Sequence, residues 1–216
     1  MLFRSNDYYL KYELPSTMYA KLIELCSDKF MATSFDLNTT KLLKSLGCKH
    51  WKVASSDCTW TPLLTQLAEY EREGDTVVIS TGNATMEEIM ITYGYFTNPT
   101  MLHCIPKYPT SITDLGFNRI NELRNCHFPN FGWSSHAAQN EASAPALMAL
   151  AMGARTFEFH VTHRNKPVTP DAAVSLTPLQ LAFVVSTLTS YEAALCDPII
   201  DEEELKAVRR VEGKRP

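Results

Sequence analysis

Small polar or ionisable residues recur in six clusters along this chain: Thr33-Ser34, Lys52 with Ser55-Ser56-Asp57, Ser80-Thr81-Gly82, His103 with Lys107-Tyr108, Ser134-Ser135-His136, and Glu158 with His160. Hydroxyls, a lysine and backbone amides suit a phosphate, and two histidines suit a divalent metal. Glu158 and His160 alternate with Phe157 and Phe159, so in an extended segment both polar groups face one side. A buried carboxylate and imidazole need partners, and a ligand can supply them.

Each cluster also has a plainer reading. His160 fits a hydrogen-bonded core histidine as well as a metal ligand shared with His136. Lysine is rarely buried without a negative partner, so Lys52 either points inward to one or snorkels outward. Asp57 is either a general acid or a helix cap. Single motifs such as Ser80-Thr81-Gly82-Asn83 are common; their serial placement is what points to a pocket.

The elements that must position these residues follow from hydropathy. Apolar segments at 29–35, 50–56, 75–82, 100–105, 130–135 and 154–161 are short, mostly rich in β-branched or aromatic residues, and bounded by turn formers. They read as strands. Their starts lie 21 to 30 residues apart, room for one helix and two loops. Helical patterns fill the intervals: 16–29 with Ser16 as cap, 37–47 ending on Gly47, 61–74 opened by Thr61-Pro62, and a capping box from Thr85 to Glu88. Two more, at 140–153 and 175–196, follow, the second being the longest. Strand and helix alternating without hairpin signals imply a parallel sheet, doubly wound or a (β/α) barrel. No GxGxxG or GxxxxGK[ST] appears, and the polar clusters fall just after the strand cores, where a barrel carries its chemistry.

The composition fits such a domain. Hydrophobic residues make up 45% of 216, aromatics 10%, and 20 Lys+Arg against 24 Asp+Glu leave a net charge of -4. That excludes a disordered chain and gives no electrostatic reason to expect nucleic acid. No apolar run suggests a signal peptide or membrane span. The six cysteines form no CxxC pair, and reduced thiols in the cytoplasm are expected.

Taken together the motifs resemble the sialic acid synthase (N-acetylneuraminate synthase) family. Lys52-Val53-Ala54-Ser55-Ser56-Asp57 resembles its K-I-[GA]-S-G-[DE] strand, and Ser80-Thr81-Gly82 its S-T-G turn. Leu102-His103-Cys104 with Tyr108-Pro109-Thr110 matches L-H-C-x-x-x-Y-P-T. Gly132-Trp133-Ser134-Ser135-His136 resembles G-[LY]-S-D-H, Glu158-Phe159-His160 resembles E-[RK]-H-F, and Pro170-Asp171 the end of G-P-D. Order and spacing agree from about Tyr12 to Leu195.

The resemblance implies a TIM (β/α)8-barrel whose members condense phosphoenolpyruvate with an N-acylated hexosamine such as N-acetylmannosamine, giving a nonulosonic acid and phosphate. By this likeness Thr33, Lys52, Ser55, Ser80 and Ser134 hold phosphoenolpyruvate. His136 and His160 ligate manganese or magnesium and serve catalysis with Asp57, which handles protons; Tyr108 and Asp171 lie on the amino-sugar side. Several positions depart from the pattern. Pro106 replaces Asn or Ser, Ser135 replaces Asp, Ser56 replaces Gly, Phe159 replaces a basic residue, and Val168-Thr169 stands where a Gly-Pro turn begins.

By the same likeness the barrel domain, 1–198, is incomplete, lacking the first two strands with a catalytic Glu and a substrate-binding Lys. A charged helix or tail, 199–216, follows it. The open sheet edges call for a second copy or a complementary chain. Two readings stand: a metal-dependent synthase, and a catalytically inactive paralogue serving as a binding or interaction module. A metal-dependent hydrolase is a weaker third. Little condensation by the 216-residue chain is expected; phosphate release from phosphoenolpyruvate, N-acetylmannosamine and manganese checks this, and robust turnover overturns it.

Overall fold

A computed structural model describes residues 14–163 and 171–195. Val168-Thr169, Pro170, Cys196 and the charged segment 199–216 lie outside the described residues. The six expected strands all form: β1 Met31–Thr33, β2 His50–Val53, β3 Thr76–Ser80, β4 Thr100–His103, β5 Phe131–Ser135 and β6 Thr156–Phe159. They make one sheet in sequential order β1 to β6, every pairing parallel. One helix precedes the sheet, α1 Ser16–Cys26. The strands are followed in turn by α2 Leu37–Ser45, α3 Thr61–Tyr70, α4 Met86–Tyr93, α5 Asn118–Asn125, α6 Ser143–Ala151 and α7 Pro178–Ala193. This is barrel-type (β/α) architecture, incomplete among the described residues.

Strand alternation sorts the side chains. Trp51, Val53, Val77, Ile79 and Met101 turn outward and pack against Leu63, Leu64 and Leu67 of α3 and Ile89 of α4. Trp133 joins a second cluster with Ile120, Ala146, Ala149 and Val184 of the later helices. The intervening residues, Lys52, Ser80, Ser134 and Glu158 among them, face the concave side. The sheet curls enough that Thr33 at one edge and Glu158 at the other line one cavity. Beyond β6, Val161 makes an isolated parallel bridge to Leu176, whose N–H donates to the His160 carbonyl at 2.8 Å.

Helix ends follow local chemistry. The capping box is present at Thr85 and Glu88, and a second one joins Thr177 to Gln180 at the start of α7. Gly47, just past α2, has φ +92°, which glycine adopts without steric cost. Ser16 does not cap α1: the N-cap is Pro15, without a side-chain hydrogen bond, and Ser16 is the first helical residue. α3 ends at Tyr70 and not at Gly74, because 71–74 turn away. α5 has no counterpart among the helical patterns read from sequence. In NRINELRN only Ile120 and Leu123 are apolar and buried, a three-residue spacing too sparse to stand out.

Asp36 caps α2: its Oδ1 accepts from the Asn38 and Thr39 amides, both at 2.8 Å. Hydrogen bonds from Thr39 hold its carboxyl below the usual value. Asp36→Ala is expected to cost about 1 kcal/mol of stability, read by urea denaturation. The depressed carboxyl makes its contribution full above the unfolded-state pKa and lost as pH falls through the folded one. An unchanged urea midpoint would discount the cap.

Candidate functional site

The concave face holds a cavity of about 600 Å³ at the C-terminal ends of the strands. Thr33, Lys52, Ser55, Ser80, Tyr108, Ser134, His136, Glu158 and His160 line it, with Phe35, Pro106 and Phe159. Eight of the ten residues singled out from sequence are thus brought together. Asp57 and Asp171 do not line it. Asp57 sits in a short 3-10 turn after β2, where burial raises its carboxyl. Asp171 stands behind His160, its Oδ2 3.7 Å from Nδ1.

Lys52 lies at the floor of the cavity, only 8% exposed. Its Nζ donates to the Ser80 hydroxyl at 2.6 Å and the Val53 carbonyl at 2.9 Å, and lies 3.6 Å from Glu158 Oε2. Burial lowers the pKa of the amine, and the Glu158 charge opposes that shift. Glu158 Oε1 accepts from the Ser134 hydroxyl at 2.7 Å, within the Ser134–Glu158 register of β5 and β6. One chain of hydrogen bonds and an ion pair therefore joins β2, β3, β5 and β6. Gly82 makes room beside it: a Cβ there would stand 2.9 Å from both Ser55 Oγ and Cys104 Sγ, which contact each other at 3.0 Å.

The two histidines meet in the same cavity, ring centroids 5.4 Å apart. Nδ1 of His136 donates to the Ile105 carbonyl at 2.6 Å, which leaves Nε2 to accept or ligate. Burial lowers the His136 pKa and favours neutral imidazole. The Asp171 carboxylate faces Nδ1 of His160, the support that metal-ligating histidines commonly have. Tyr108 stacks on His136 at 3.9 Å and meets His160 edge-on at 5.6 Å. Burial, then the Asp171 charge, push its hydroxyl up to about 12. Two supported imidazoles fit part of a divalent-metal shell. Among the described residues no group of three or more His, Cys, Asp or Glu is arranged to hold an ion.

Two strand-end residues do not join the cavity. His103 follows Leu102 on the other face of β4, so its ring points under the helices, where Nε2 donates to the Leu115 carbonyl at 2.7 Å. Lys107 is exposed and pairs with Asp114. Glu158, in contrast, carries more than the pattern assigned to it. The signal was present, since a buried Lys52 needs a negative partner and Glu158 is the carboxylate on the same face. A separate cavity of about 680 Å³ at the opposite strand ends is lined by Lys44, Lys49, Asp28 and Asp75. These pair with one another, Lys49 with Asp28 at 3.6 Å and Lys44 with Asp75 at 3.9 Å.

Comparison with known proteins adds sequence evidence. Residues 4–199 match the NeuB family. The chain is 29% identical to an N,N'-diacetyllegionaminic acid synthase of Campylobacter jejuni, over 88% of this chain and 58% of that protein. It is 30% identical to the human N-acetylneuraminate-9-phosphate synthase, over 78% of this chain and 47% of that protein. The crystal structure of a sialic acid synthetase from Leptospira borgpetersenii, in complex with citrate, superposes with a TM-score of 0.81 at 26% identity. That match covers 95% of this chain and 75% of the other. The chain spans about half the length of the curated relatives it matches.

Proposed function

Because this chain belongs to the NeuB family, we propose that its cavity serves a synthase joining phosphoenolpyruvate to an N-acylated amino sugar, with release of phosphate. The observation that carries this reading is the network of buried Lys52 and Ser134 with partly exposed Glu158, which shares one cavity with His136 and His160. Lys52 with the hydroxyls of Thr33, Ser55, Ser80 and Ser134 provides a cation and donors for a phosphorylated enol acid. Glu158 holds Lys52 in place and keeps the floor from carrying an uncompensated charge.

His136 and His160 would hold a divalent metal, manganese or magnesium, with water or substrate completing its shell. Such an ion supplies Lewis-acid polarisation of a sugar aldehyde. Tyr108, packed on both imidazoles, presents its exposed edge where an acceptor sugar would approach. Asp57, with its raised carboxyl, is the proton-handling candidate just outside the cavity, and Asp171 supports His160. We place this chemistry in the cytoplasm, where phosphoenolpyruvate is made and thiols stay reduced. Among the described residues no helix is long and apolar enough to cross a membrane.

Calorimetry with phosphoenolpyruvate in the presence of manganese tests the reading. Saturable binding is expected, and Lys52→Met should weaken it by about 10- to 100-fold through loss of charge-assisted hydrogen bonds. Absence of saturable binding by the unaltered chain would overturn the proposal.

A further inference from the structure

Lys52 is the only lysine or arginine that is buried among the described residues, and every other described lysine reaches solvent. Its amine stands at the floor of an open cavity, on the concave face of a parallel sheet, with a carboxylate beside it. Burial also weakens its hold on a proton. A lysine in that setting is a carbonyl nucleophile as well as a cation.

We propose that Lys52 forms a reversible iminium with small 2-oxo acids of the pyruvate type, bound in the cavity above it. The ammonium first yields a proton to solvent. Its free amine then adds to the carbonyl carbon, and the former carbonyl oxygen takes up a proton, giving a carbinolamine. That hydroxyl then takes a proton back from solvent and departs as water, leaving the carbon–nitrogen double bond with no oxidant or reductant consumed. The resulting cationic nitrogen keeps one N–H, and the Ser80 hydroxyl, now 2.6 Å away, is placed to accept it. The Glu158 carboxylate, 3.6 Å from the nitrogen, offsets the charge. Thr33 and Ser55 line the same cavity and supply hydroxyls for the acid's carboxylate.

The proposal uses the cavity described above but does not rest on the condensation reading, because phosphoenolpyruvate has no ketone and forms no iminium. The test is to incubate the full chain with pyruvate, reduce with borohydride, and map the modified peptide by mass spectrometry. One pyruvate-derived secondary amine on Lys52 is expected, in preference to the exposed lysines. Lys52→Arg keeps the charge and should lose the label, with folding checked by circular dichroism. Should that variant fail to fold, protection of the unaltered chain by added oxaloacetate, before reduction, gives the same answer: a second 2-oxo acid must compete for Lys52. Label spread over surface lysines with Lys52 unmodified overturns the proposal. Saturable phosphoenolpyruvate binding with no Lys52 adduct overturns it too, while leaving the condensation reading intact.

Discussion

Gly132→Ala is expected to destabilise the chain by at least about 3 kcal/mol, the upper end of what overpacking usually costs. Gly132 lies on the concave face of β5, beside β6. A Cβ there would collide with the Thr156 carbonyl oxygen and stand 2.7 Å from its carbon and 2.8 Å from Leu102 Cδ2. Two of these atoms are backbone, which no rotamer change can move aside. Relief therefore requires β5 and β6 to separate, breaking the pairing that sets Ser134 opposite Glu158. Phosphoenolpyruvate binding should fall together with stability. Gly74 is the contrast: its added Cβ would meet nothing within 4 Å, although its φ of +88° disfavours a side chain. Urea denaturation measures the difference, and a Gly132→Ala protein within about 1 kcal/mol of the original would refute the close approach.

At the metal site proposed above, removing either histidine should weaken manganese binding strongly. Loss of a partner behind a metal ligand typically costs 10- to 100-fold in affinity, so loss of the ligand itself should cost at least about 100-fold. His136→Ala and His160→Ala are each expected to reach that value. Asp171→Asn, which alters only the support behind His160 at 3.7 Å, should cost about 10-fold. Titration of manganese followed by electron paramagnetic resonance separates the three. Equal affinities throughout would remove both histidines as ligands. A loss for Asp171→Asn as large as for His160→Ala would make the carboxylate a ligand in its own right.

Much of this site was legible in the sequence because strand alternation is rigid. Glu158 and His160 straddle Phe159 and face one cavity, as the period of two requires, and the same rule puts Lys52 between the outward Trp51 and Val53. The rule also explains His103, whose position next to Leu102 assigns it to the helical side; a polar residue at a strand end need not point into the site. Helix α5 was hidden because Ile120 and Leu123 are the only buried apolar residues it offers. The Asp171–His160 contact and the Ile105 carbonyl under His136 join residues 11 and 31 positions apart. No periodicity encodes such distances, since loop paths decide them.

The sequential strand order has a consequence for how the molecule opens. Each (β/α) unit leans chiefly on its immediate neighbours, so hydrogen exchange should show the array fraying unit by unit from its two ends. The cavity draws on the first strand through Thr33 and on the last through Glu158. A ligand spanning those walls links the stabilities of the outermost units, because either one's opening releases it. Exchange protection gained on binding should therefore be greatest in β1 and β6, the strands least protected without ligand.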